Sequence, residues 1–155
     1  MFKSVLIIFL FPIVGLVTFS YFNSPDNMQT TDQFADQIKN TLSINGVEIK
    51  IEIADESNEQ SRGLSGREYL APDGGMLFVF PERTIPGFWM KEMNFSLDFI
   101  WIDESGKIVE ITKNVSPATY PKTFLPPSPI KYVLEVNAGW ADGNNIKVGD
   151  KLKRP

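Results

Sequence analysis

From residue 41 onward, apolar side chains recur at nearly every second position along most of the chain. That period marks a strand with one buried face, because successive side chains leave a pleated backbone on opposite sides. Val47, Ile49, Ile51 and Ile53 alternate with Glu48, Lys50 and Glu52, and Asn45-Gly46 ahead of them is a hairpin turn pair. The pattern predicts further strands over 75–80, ending at Pro81, and over 87–90, 97–102, 107–112 and 130–136. Asp55 is placed to cap a two-turn helix over 56–62, and Gly63 suits the left-handed position that closes it. A second short helix or turn is expected over 138–144. Prolines at 117, 121, 126, 127 and 129 fix φ and remove donors, so that stretch reads as a stiff flap over the sheet end. The closing IKVGDKL reads as a turn followed by a strand. The expected fold is mainly β (α+β): a compact, barrel-like domain over residues 41–155, with one or two short helices.

The N-terminus breaks this period. After Lys3, residues 5–22 read VLIIFLFPIVGLVTFSYF without a charge. As a helix they span roughly 27 Å, close to the hydrocarbon thickness of a bilayer. Lys3 precedes the run and Asp26, Asp32 and Asp36 follow it, a bias that favours the N-terminus inside and the domain outside. A cleaved signal peptide is the competing reading, but Phe19-Ser20-Tyr21-Phe22 matches a small-residue cleavage site poorly. The expectation is a single-pass membrane anchor over residues 1–23. A polar linker follows over residues 24–40, and the domain lies on the extracytoplasmic side.

Composition then removes whole classes of chemistry. The 155 residues include no Cys and no His. That excludes disulfides, thiol nucleophiles, the usual zinc and copper ligands and the Ser–His pair. Catalysis would have to come from carboxylates, Lys, Tyr, Ser/Thr or a hard metal held by oxygens. Net charge is −4 and the cations are scattered, so a nucleic-acid partner is not expected. Met76, Met90 and Met93 raise the idea of a thioether copper site, but methionine is more often core filler. No cofactor and no metal site is implied.

Five blocks occur in a fixed order: RGLSGR (62–67), GGMLFVF (74–80), FWMKEMNFSLDFIWID (88–103), YVLEVNAGW (132–140) and IKVGD (146–150). Together, over about residues 49–152, they resemble the bacterial and archaeal family called domain of unknown function 192. The resemblance implies a compact β-rich fold, often behind an export signal or anchor, with no established activity. Ser96 stands where the family pattern carries a proline, which bears only on local loop rigidity.

Two acids stand out on apolar strands. Asp98 shares its face with Ile100 and Ile102, and Glu135 shares its face with Val133 and Asn137. A carboxylate in such a place is costly unless it is paired or hydrogen-bonded. Arg62, Arg67 and Lys91 are the natural partners, either in a structural salt-bridge cluster or around a ligand pocket. By alternation Trp89 and Lys91 share one face, while Phe88 and Met90 share the other. Exposed tryptophan beside polar groups is the arrangement that stacks on sugar rings, and Trp89 and Trp140 are the candidate platforms. The candidate ligand site is therefore Arg62, Arg67, Trp89, Lys91, Asn94, Asp98 and Glu135. The expected function is a non-enzymatic binding module of the cell envelope, with a small molecule or carbohydrate as ligand. A carboxylate-based hydrolase built on Asp98 and a second acid is the first alternative, and a purely structural module the second.

Overall fold

The computed structural model describes residues 40–153. Their alternating pattern forms seven strands: β1 (Thr41–Ile44), β2 (Val47–Ala54), β3 (Gly74–Thr84), β4 (Leu97–Ile102), β5 (Ile108–Val115), β6 (Ile130–Asn137) and β7 (Leu152–Lys153). Two short helices interrupt them, α1 (Ser57–Arg62) between β2 and β3 and α2 (Trp140–Gly143) between β6 and β7. The strands make one sheet in the order β5-β4-β6-β3-β2-β1-β7. Neighbouring strands run antiparallel except β2 and β3, which are parallel and joined by a crossover containing α1. The sheet curls until its edges approach. Ile108 N–H donates to the Asp150 carbonyl at 2.9 Å, and Leu152 N–H donates to the Gly106 carbonyl at 2.8 Å. The result is a mainly β, curled half-barrel with two short helices.

Both faces of the sheet are covered, and strand alternation decides which residue goes where. Ile49 and Ile51, Leu77, Leu134 and Val136, Ile100 and Ile102 pack with Trp140, Ala141 and Ile146 on one face. Met76 and Phe78, Val133, Phe99 and Trp101 pack on the other, beneath Leu64, Phe88 and Met90 from the connections. The second core is aromatic: the Phe78 and Phe88 rings meet edge to face at 4.8 Å between centroids. Met76 and Met90 are buried members of this core, which fits core packing better than a copper site.

Several local expectations need correction. The α1 cap is Glu56 rather than Asp55, because Glu59 reaches back three residues to complete a capping box. β3 runs through Pro81 to Thr84, since its register against β6 shifts between Val79 and Thr84 and no ladder donor is demanded of the proline. Residues 87–90 form no strand; Phe88 makes only an isolated bridge with Phe124 from the proline-rich segment. The anchor over residues 1–23 and nearly all of the linker over 24–40 lie outside the described residues. Among the described residues, no helix is long and apolar enough to cross a membrane.

Candidate functional site

Glu135 lies in the middle of the sheet. The register places Glu52 of β2, Met76 of β3, Glu135 of β6 and Phe99 of β4 in one row across four strands. Met76 and Phe99 flank the acid with apolar surface, and its residue exposure is 5%. Among the described residues, no hydrogen-bond donor engages its carboxylate. Nor do they include an unpartnered side-chain polar atom sealed completely from solvent. Each carboxyl oxygen therefore keeps at least slight contact with the accessible surface. Burial penalises the charged form and pushes the Glu135 pKa up to about 8, against a smaller downward pull from the Arg67 charge.

That surface is the floor of a recess of about 280 Å³, lined among others by Arg62, Phe78, Phe80, Phe88, Trp89 and Glu135. One wall is α1 and the turn after it. The Gln60 amide nitrogen donates to the carbonyls of Val79 at 2.9 Å and Ala54 at 3.3 Å, pinning the helix to β2 and β3. Gly63 has φ +50° and ψ −133°, backbone open to glycine and strained for other residues. A Cβ there would lie 3.2 Å from the Phe78 ring and 4.0 Å from Glu135 Oε2, so the turn passes directly over the acid. Buried Leu64 anchors it.

The opposite wall is the segment carrying Phe88, Trp89 and Met93. Three bonds fasten it to the 62–67 turn: Ser65 Oγ to the Lys91 carbonyl at 2.9 Å, Gly66 N–H to the Glu92 carbonyl at 2.8 Å, and Asn94 Nδ2 to the Arg67 carbonyl at 2.8 Å. Phe88 turns into the core while Trp89 stays 48% exposed at the rim. Arg62 has no ion-pair partner among the described residues. Arg67 does: its guanidinium forks onto the Glu52 carboxylate, which lowers the Glu52 pKa through that hydrogen bond.

The seven residues singled out from sequence thus separate. Arg62, Trp89 and Glu135 line the recess. Arg67 and Asn94 build its wall rather than its lining, and Lys91 points outward, 3.8 Å from Glu92. Asp98 is on the other face of the sheet, in a row with Val136 rather than Glu135. Its carboxylate is buried and satisfied, accepting the N–H groups of Asn114 at 2.8 Å and of Gly139 and Ala141 at 3.1 Å each. It holds the entrance of α2 and the irregular end of β5, a structural duty. Asp98 and Glu135 share no cleft, so the two-carboxylate hydrolase has no such pair. Trp140 is buried and unavailable as a platform.

Sequence reasoning overlooked Gln60, Phe78, Phe80 and Met93 at the recess. For the two phenylalanines a signal existed: Met76, Phe78 and Phe80 alternate along β3 on the face that carries Glu135. A second depression, of about 320 Å³, runs along Lys50, Glu52, Arg67 and Asp73. Its charges are paired with each other, Lys50 with Asp73 at 2.8 Å and Arg67 with Glu52.

Comparison with known proteins agrees with the fold. The family model for domain of unknown function 192, described as "Uncharacterized ACR", matches residues 40–154. A UPF0127 protein of Pyrococcus furiosus is 28% identical over 113 residues, covering 70% of this chain and 90% of its own. A UPF0127 protein of Pyrococcus abyssi is 30% identical over 109 residues, covering 67% and 85%. Among solved structures, a proposed transcription regulator from Sinorhizobium meliloti 1021 superposes with a TM-score of 0.68 at 32% identity, covering 73% of this chain and 89% of that one. A protein of unknown function from Novosphingobium aromaticivorans gives 0.69 at 29% identity, covering 73% and 83%.

Proposed function

We propose, from the premise that the chain belongs to the domain of unknown function 192 family, that the recess over Glu135 is a binding site for a small carbohydrate. One observation carries this reading: an exposed indole and an unpartnered buried carboxyl open onto the same recess. Stripping a polar group of most of its water without giving it a partner is costly, and a ligand that hydrogen-bonds it recovers part of that cost. The Trp89 face supplies apolar area for a sugar ring, and Arg62 supplies donors for its oxygens. With both donors of the Gln60 amide nitrogen committed to backbone carbonyls, its oxygen is a positioned acceptor.

Trp89 is the exposed one of three tryptophans, Trp101 and Trp140 being buried. Titrating the full-length protein with soluble monosaccharides should change tryptophan emission saturably, and Trp89→Phe should abolish the change. Saturable binding that survives both Trp89→Ala and Glu135→Ala would place the ligand elsewhere and end this assignment.

We infer separately that the protein is an envelope component. The support is in the sequence: the uncharged run over 5–22 has enough residues to cross a bilayer if helical, with cationic residue Lys3 before it and acids after it. A protease added to intact spheroplasts should then digest the domain while a cytosolic marker survives. Protection equal to the marker's contradicts the location.

A further inference from the structure

The charges around the recess do not balance, and the imbalance selects a ligand. Glu135 shares the recess lining with Arg62 from the α1 end, feels the Arg67 charge from the turn that follows, and has Glu52 of β2 two strands away in its row; the strands beside it present Met76 and Phe99. Arg67 pairs with Glu52, and Arg62 adds a weaker, longer-range attraction to the same carboxylate. Arg62 has no ion-pair partner among the described residues. A neutral Glu135 leaves the recess with one net positive charge and one O–H donor beside it. The loop residues Lys91 and Glu92 pair with each other outside. A cationic ligand would meet a guanidinium that has no ion-pair partner among the described residues; an anionic one would be held by it.

We propose that the recess takes a sugar acid, whose ring lies on Trp89 and whose carboxylate is held between the Arg62 guanidinium and the Glu135 carboxyl group. This rests on the carbohydrate reading and narrows it. Glu135 acts as a donor, giving its proton's hydrogen bond to a ligand oxygen, so ionised Glu135 would repel the same carboxylate. Because burial holds the Glu135 proton up to about pH 8, the donor form dominates at neutral pH. Affinity is present below that value and is lost as pH rises through it.

The test is calorimetric titration of the full-length protein, in mild detergent, with D-glucuronate, D-glucose and D-glucosamine at pH 6 and pH 9. Glucuronate is expected to bind at least tenfold more tightly than glucose at pH 6, and to weaken by roughly tenfold at pH 9. Glu135→Gln keeps the shape and a donor but cannot ionise, so it should retain glucuronate binding and erase the pH dependence. Arg62→Gln should remove the preference for the acid while glucose binding persists. Equal affinity for glucuronate and glucose, a preference for glucosamine, or a pH response unchanged in Glu135→Gln overturns the sugar-acid inference alone. If no sugar binds at either pH, the carbohydrate reading falls and the inference falls with it.

Discussion

The Asp98 carboxylate accepts three backbone N–H groups from two separate segments and has no solvent exposure. Removing it strands those donors in the interior, at about 1–3 kcal/mol for each left unsatisfied. Asp98→Ala is therefore expected to lower stability by roughly 3–5 kcal/mol in urea unfolding, with Asp98→Asn between it and the parent. A loss below about 1 kcal/mol would show that water replaces the carboxylate and that the acid does not organise α2. Glu135 is the opposite case, buried beside Met76 and Phe99 with no donor on it among the described residues. The burial of both acids was legible from alternation along their strands. Their opposite fates were not, because hydrogen-bond partners come from residues 16, 41 and 43 positions away for Asp98. Trp89 and Trp140 show the same limit. Alternation separates Trp89 from Phe88 correctly although the segment is no strand, but nothing local says that α2 turns Trp140 into the core.

Strand β3 is the element on which the site depends, parallel to β2 on one side and antiparallel to β6 on the other. Its start, Gly74-Gly75, lets the neighbours close in. A Cβ on Gly75 would lie 2.9 Å from the Glu135 carbonyl oxygen and 3.1 Å from the Ile49 and Leu134 Cδ1 atoms. Gly75→Ala is expected to cost about 2–3 kcal/mol and to shift the unfolding midpoint accordingly. A stable, unshifted variant would mean that β3 and β6 are not in this register. Strand positions were readable from the period-two pattern. The parallel pairing was not, since a six-residue helix and a loop can return the chain in either direction. The β3 extension past Pro81 was hidden because it depends on an irregular register against β6, a property of two strands rather than one. The supposed strand at 87–90 has the right alternation but finds just Phe124 to bridge, so its pattern records a wall residue and a rim residue instead.

For the whole molecule, the curled sheet buries one core on each face, and one side keeps an opening above Glu135. An ionisable group left without a partner there ties global stability to pH. Unfolded, Glu135 ionises near its ordinary 4.5; folded, burial holds the proton up to about 8. Between those values the folded state carries the extra proton, so its contribution to stability is present below pH 4.5 and is lost as pH rises to 8. Glu135→Gln has no such loss. The decisive measurement is unfolding free energy against pH for the parent and Glu135→Gln, taken as a difference so that other titrating groups cancel. The account expects that difference to grow in favour of the glutamine variant by on the order of 4 kcal/mol between pH 4 and pH 9, levelling above pH 8. A difference that stays flat across that range would mean that Glu135 is solvated or paired, and the recess would have no unpartnered acid at its floor.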